Sequence, residues 1–234
     1  MLRSILTNFA PTKGKLQVMA KKKNKKAQQQ QFLSPQNFLR QRARSLAIGE
    51  CYFTPAIEET GEGIAIVSRK HTGGRVSYAV YLVDIWCVGV KDTYYRLRCE
   101  ESDFEAFVEH MGPQVEPMSY EEVHNWIYGA VAFADEAGIP PHKDFALTKY
   151  MLEEDTDDIP LIDHEFGKEG KYFLVAKNGL EASRYLPYLK KNIGEGNFDF
   201  LIESGSYDGY EDYDYDYSDE DDEEGQDGGE DVDE

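Results

Sequence analysis

Between residues 34 and 202 the spacing of apolar positions changes from strand-like to helix-like and back. Gly63-Ile-Ala-Ile-Val-Ser68 and Val76-Ser-Tyr-Ala-Val-Tyr-Leu-Val83 flank His71-Thr-Gly-Gly74, which predicts two antiparallel strands and a hairpin. A third strand is expected through residues 86–90 and 94–97, interrupted at Lys91-Asp92. Several of these stretches are apolar on successive residues, so the sheet should be covered on both faces for part of its length. The period then lengthens. Ser102-Asp-Phe-Glu105 reads as a capping box for a helix burying Phe104, Phe107, Val108 and Met111, ending at Gly112-Pro113. Ser119-Tyr-Glu-Glu122 opens a second helix, with Val123, Trp126, Ile127, Ala130, Phe133, Ala134 and Ala137 on one face up to Gly138 and Pro140. A third helix is predicted over 143–152, an edge strand around 162–166, and a closing strand–helix–strand unit over 171–176, 180–192 and 198–202, with Pro187 kinking its helix. The predicted class is α+β: an antiparallel β-meander, then helices, then that C-terminal unit.

Charge is sorted by position. Residues 1–47 hold eleven Lys/Arg and no Asp/Glu, whereas residues 203–234 hold seventeen Asp/Glu and no Lys/Arg. Like-charge blocks without apolar partners repel themselves and are expected to be disordered. The chain therefore divides into a basic tail over 1–33, one folded domain over 34–202 and an acidic tail over 203–234. Before the domain, Ser34-Pro35 to Arg44 sets Phe38 and Leu39 among Arg40, Arg42 and Arg44, the pattern of a short basic helix docked on it. Met19-Ala20 followed by lysines reads like a bacterial initiation site, with residues 1–18 an overextended reading frame. No apolar run approaches the ~20 residues of a membrane helix, so no membrane partner is expected. The sparse, odd set Cys51, Cys87 and Cys99, without C-x-x-C spacing, suits a reducing cytoplasm.

Three segments carry a resemblance: Tyr78-Ala-Val-Tyr-Leu-Val-Asp84-Ile-Trp-Cys87-Val-Gly-Val-Lys91-Asp92; Ile127-Tyr-Gly-Ala-Val-Ala-Phe-Ala134 with Gly138-Ile-Pro-Pro-His142-Lys-Asp144-Phe; and Glu165-Phe-Gly-Lys-Glu-Gly-Lys-Tyr-Phe173. Together they resemble an uncharacterised bacterial protein family, some members of which carry a C-terminal SEC-C zinc motif. The resemblance spans about residues 34–201 and implies no known reaction. The chain departs from the zinc-bearing members, since after Leu201 it has acidic residues and no Cys-rich module.

Two sets of residues are candidates for chemistry. The first is His124, His142, Asp144 and Asp84. Tyr120, His124 and Tyr128 line one helix flank at four-residue spacing, and the turn at Pro140-Pro141 presents His142 and Asp144. Two imidazoles and a carboxylate suffice for a divalent metal with an open position. Against this, Asp144 also suits a helix start, and Asp84, interrupting an apolar strand, would pair with Lys91 or Arg96. Asp163-His164-Glu165 is weaker, because strand neighbours point to opposite faces. The second set is cationic: Lys21, Lys22, Lys23, Lys25, Lys26, Arg40, Arg42, Arg44, Arg69, Lys70 and Arg75, with His71 at the hairpin tip and Arg96 and Arg98 on the adjoining strand, all suited to phosphate contact. The acidic tail could fold back on the basic arm or engage a basic protein. It is not an EF-hand, since Tyr217 stands where the loop needs glycine. Gly61-Glu-Gly63, Gly73-Gly74 and Gly194-Glu-Gly196 lack the Lys-Ser/Thr of a phosphate loop. The expectation is a cytoplasmic, non-catalytic interaction protein without a cofactor, its charged tails modulating contact with RNA, ribosomes or charged proteins. The alternative is a metal-dependent hydrolase or nuclease built on the first set.

Overall fold

The computed structural model describes residues 33–203. The two tails, the Met19 start and the contacts expected of Lys21, Lys22, Lys23, Lys25 and Lys26 lie outside the described residues. Helix α1 (Pro35–Arg42) begins at Ser34, whose hydroxyl accepts the Asn37 N–H, and buries Phe38 and Leu39. A 3-10 turn (Ala43–Ser45) leads to β1 (Ala47–Phe53), and the short α2 (Ile57–Thr60) leads to β2 (Glu62–Lys70). β3 (Arg75–Asp84) and β4 (Gly89–Glu100) complete the meander. Then come α3 (Glu101–Met111), the two-residue β5 (Glu116–Pro117), α4 (Tyr120–Glu136) and α5 (Phe145–Thr148). The chain closes on β6 (Tyr172–Ala176), α6 (Gly179–Tyr188) and β7 (Phe198–Ile202). The fold is α+β, as expected. The sheet is antiparallel with strand order β4-β3-β2-β1-β5, and β6 and β7 pair in parallel across the α6 crossover.

The successive apolar residues of β2 and β3 serve two cores. Ala65, Val67, Ala79, Tyr81 and Val83 point to Val123, Trp126, Ile127 and Ala130 of α4, joined by Phe145, Met151 and Leu152. Ile66, Val76, Tyr78 and Val80 point the other way, to Phe104 and Phe107 of α3. A third cluster packs Leu174, Ala176, Ala182, Leu189 and Phe198 against Cys87, Val88, Ala134 in the last turn of α4, and Ala137 and Ile139 just beyond it. Gly89 (φ +76°) lets the start of β4 lie against α4, where a Cβ would come within 2.9 Å of the Ala130 carbonyl oxygen.

Four expectations are corrected. Residues 85–88 form a buried turn rather than strand, and β4 continues through Lys91-Asp92, where the expected interruption takes the form of a bulge at Lys91 in the pairing with β3. The turn is made by Asp84, whose Oδ1 accepts the N–H of Trp86 (3.0 Å) and Cys87 (2.9 Å). Helix α3 starts at Glu101 without a side-chain cap, so the Ser102 box is not formed. Residues 162–166 are extended but belong to no strand. The Asn125 amide holds the approach to them, donating to the Pro160 carbonyl (3.0 Å) and accepting the Ile162 N–H (3.1 Å). β1, finally, has no counterpart among the predicted strands. The box at Ser119 does form: its hydroxyl accepts the Glu122 N–H and donates to the Glu122 carboxylate. Pro187 has no N–H for the ladder, and beyond it α6 widens into a π turn (Leu189–Ile193).

Arg69 is the fully buried cation of the main core. Its Nε donates to the Met151 carbonyl (2.8 Å), and its Nη1 donates to the carbonyls of Leu46 (2.9 Å) and Arg44 (3.3 Å). Glu153 Oε1 lies 2.9 Å from Nη2 but off the N–H direction, so this contact is an ion pair without a formed hydrogen bond. Truncation would strand three carbonyls and a carboxylate. We expect Arg69→Met to lower unfolding stability by about 3 kcal/mol or more in urea denaturation. Arg69→Lys should recover less than half of the loss, since an ammonium cannot reproduce the fork.

Candidate nucleic-acid interface

The cationic set divides by burial. Arg40 and Arg42 are exposed on the last turn of α1. Lys70 and Arg75, at the ends of the β2–β3 hairpin, are exposed with loose acidic neighbours: Lys70 Nζ is 3.8 Å from Glu50 and 3.7 Å from Glu101, and Arg75 pairs with Glu100 at 2.8 Å. Surface pairs of this kind are worth at most ~1 kcal/mol and exchange readily for another anion. Arg69, expected to touch phosphate, is sealed in the core and cannot do so. Arg44 is also largely engaged, donating from Nε to the Leu152 carbonyl (2.8 Å), pairing with Glu154 and lying over the Tyr150 ring.

Two distant parts of the chain meet at the hairpin. Phe38 of α1 stacks on His71 at a ring separation of 5.8 Å, and the Arg98 guanidinium sits 4.9 Å from the Phe38 ring centroid. A bulge aims Arg98 there. Pairing shifts between Val76 and Tyr78, so Leu97 and Arg98 together stand against Ser77, and Arg98 takes a left-handed φ of +55°. That conformation costs about 1–3 kcal/mol in a non-glycine residue. Ser77 compensates locally, its Oγ accepting the Arg98 N–H at 3.0 Å and lying 2.8 Å from His71 Nε2. Burial, followed by the nearby Arg98 and Arg75, lowers the His71 pKa, so the ring is neutral at pH 7. α1 thus packs against the hairpin and β4, and Arg40 and Arg42 of α1, Lys70 and Arg75 of the hairpin and Arg98 of β4 are all exposed. The sequence places Arg98 on the strand adjoining the hairpin but carries no signal for the Phe38 stack that joins the elements.

The polar quartet is not brought together. His124 is buried in the flank between Tyr120 and Tyr128, where the Tyr120 hydroxyl accepts the Glu153 N–H at 2.7 Å. Its Nε2 has no partner among the described residues, and burial lowers its pKa despite nearby Glu153, Asp155 and Glu121. His142 is half-buried, its Nδ1 3.7 Å from Asp144 and 3.8 Å from Asp92. Asp144 begins α5, as its helix-start reading had it, without a side-chain cap. Asp84 lies with Lys91 rather than with either histidine. Among the described residues no three His, Cys, Asp or Glu side chains are disposed to hold a metal ion. His164 stacks on Trp126 at 3.8 Å.

A second charged cluster joins the main sheet to α6. Lys91 pairs with Glu62 at 2.7 Å and Glu181 at 3.3 Å. Burial opposes its charge, but Glu62, Asp84 and Glu181 outweigh burial and raise its pKa. With Asp84, Lys177 and Trp86, Lys91 and Glu62 border a cavity of about 140 Å³. Comparison with protein-family models, with curated proteins and with solved structures found no match.

Burial is the main cause that raises the Asp84 pKa from 3.8 to about 6, with Lys91 and the backbone N–H groups pulling the other way. The native state therefore holds this proton more tightly than the unfolded chain does. Its contribution to stability is present below about pH 4 and is lost as pH rises through about 6. His124 has the opposite sign: its contribution is present above pH 6.5 and is lost as pH falls below that value. We expect Asp84→Asn, which keeps the turn acceptor, to gain stability relative to the parent as pH rises from 4 to 6.5. The difference between the two unfolding curves measures this term free of His124.

Proposed function

We propose that the chain is a non-catalytic interaction protein whose α1–hairpin surface, together with the basic stretch leading into it, contacts RNA, and whose acidic C-terminal stretch competes for the same cations. The observation that carries this reading is the Phe38–His71–Arg98 stack. It joins the helix that continues the basic stretch to a hairpin that bears exposed cations of its own. Phosphate contacts need such cations on a fixed support. The partners of the buried ionisable groups support a structural rather than a chemical role for them. Arg69 closes backbone carbonyls, Asp84 shapes a turn, Lys91 sits among carboxylates, and the Tyr81 hydroxyl donates to the Thr148 carbonyl.

A titration of short single-stranded RNA across a salt series tests the reading. Each phosphate neutralised on a single strand contributes about 0.7 to the slope of log affinity against log salt. Arg40→Ala with Arg42→Ala should lower that slope by about 1.4 while leaving the thermal transition in place. Deleting residues 1–33 should lower it by several units, and deleting 204–234 should tighten binding most at low salt. Affinity that is unchanged by all three alterations, or insensitive to salt, would remove the interface.

A further inference from the structure

The C-terminal unit leaves an open edge. β7 is paired to β6 on one side, and no described strand borders the other. Phe198 is buried, but Phe200, Leu201 and Ile202 are 50%, 51% and 39% exposed. Three consecutive large apolar residues therefore flank a row of backbone groups that no described strand pairs. Natural edges are blunted by lysine, proline, a bulge or a covering element. β7 carries none of these within its bounds, and its one charge, Asp199, lies 3.8 Å from Lys171 beside β6. A two-stranded sheet is also marginal by itself, so added strands would stabilise it.

We propose that β7 pairs antiparallel with β7 of a second copy of the chain, about a twofold axis at Phe200. The strand is complementary to itself in this register. Phe200 faces Phe200 of the second copy, Phe198 faces Ile202, and Asp199 faces Leu201, so apolar contacts dominate and no like charges stand opposite. Parallel pairing would set Asp199 against Asp199 and run two stretches of seventeen acidic residues side by side. The antiparallel arrangement sends those stretches from opposite ends of the pair. A twofold contact uses each edge once, so it closes at a dimer and does not grow into a fibre. A five-residue strand contact buries less than the ~1,200 Å² typical of stable complexes, so the dimer exchanges with monomer.

The test uses the full chain. Sedimentation should show the mass doubling as concentration rises towards about 1 mM, the weak end of the affinity scale. Phe200→Asp and Leu201→Asp, at half-exposed positions, should each hold the chain monomeric with an unchanged melting transition. Leu161→Asp, at a position 89% exposed and outside this strand, should leave the dimer intact. Cysteine cross-linking fixes the register, in a Cys99→Ser background because Cys99 is the partly exposed native thiol. Phe200→Cys should cross-link to itself, whereas Leu201→Cys should cross-link only when mixed with Asp199→Cys. A chain monomeric throughout overturns the proposal, whether the edge is then filled by residues 1–32 or by a strand of another protein. A dimer that survives Phe200→Asp, or Leu201→Cys cross-linking equally well alone, also overturns it.

Discussion

A guanidinium without access to water costs several kcal/mol unless its charge and donors are met, and at Arg69 the Nε and Nη1 donors are met by backbone that needs closing while Nη2 faces the Glu153 carboxylate. The 3-10 turns at Ala43–Ser45 and Lys149–Met151 end with outward carbonyls, the general condition of short helices. Arg69 takes the carbonyls of Arg44, Leu46 and Met151 from these two turns, across 25, 23 and 82 residues of sequence. One side chain thereby joins β2, the segment after α1 and the segment after α5. The consequence reaches the surface. Side chains alternate along a strand, so Arg69 points inward, Lys70 outward, and the next residue, His71, meets Phe38. The anchor that fixes the backbone after α1 thus lies two residues from the ring that receives its helix.

Legibility in the sequence followed the range of the interaction responsible. Most local signals held: the glycine hairpin at 71–74, the box at Ser119, the 3–4 spacing of α4, and the crossover unit with Pro187, the box at Ser102 being the exception. Signals failed where a tertiary partner decides. Residues 85–88 are apolar enough for strand, yet the Asp84 carboxylate folds them into a turn that gives Ile85 and Trp86 to the main core and Cys87 and Val88 to the third cluster. β1 breaks its alternation at a bulge between Ile48 and Cys51, so only pairing with β2 reveals it as a strand. Arg69 reads as one more cation in Arg69-Lys70-His71, and its burial depends on carbonyls far along the chain. The site was legible in its charges and not in its geometry, because a Phe–His–Arg contact between residues 38, 71 and 98 has no sequence period.

The buried ionisable groups act as joints between layers. Lys91 on β4 holds Glu62 of β2 and Glu181 of α6, tying the sheet to the C-terminal unit. Three carboxylates around one ammonium leave the cluster with an excess of negative charge, and Glu62 is among the causes that raise the Asp84 pKa. Asp84 cannot be relieved of this by moving, because its Oδ1 is held by two N–H groups of the turn. Trp86 is held in turn by Gly61, where a Cβ would fall 2.1 Å from the indole ring. The perturbed carboxyl is thus a consequence of how the turn is built.

A net charge of −20 at first argues against contact with a polyanion. Range decides the matter. At physiological salt the Debye length is about 8 Å, so an approaching phosphate responds to the charges beside it and little to those across the domain. Around the hairpin those neighbours include Arg98, Lys70 and Arg75, and the carboxylates near Lys70 and Arg75 belong to exposed pairs that a phosphate can displace at small cost. Under the proposed function the acidic C-terminal stretch would differ, because a tethered competitor keeps its effective concentration when the protein is diluted. It would then yield mainly to salt or to a ligand of higher charge density.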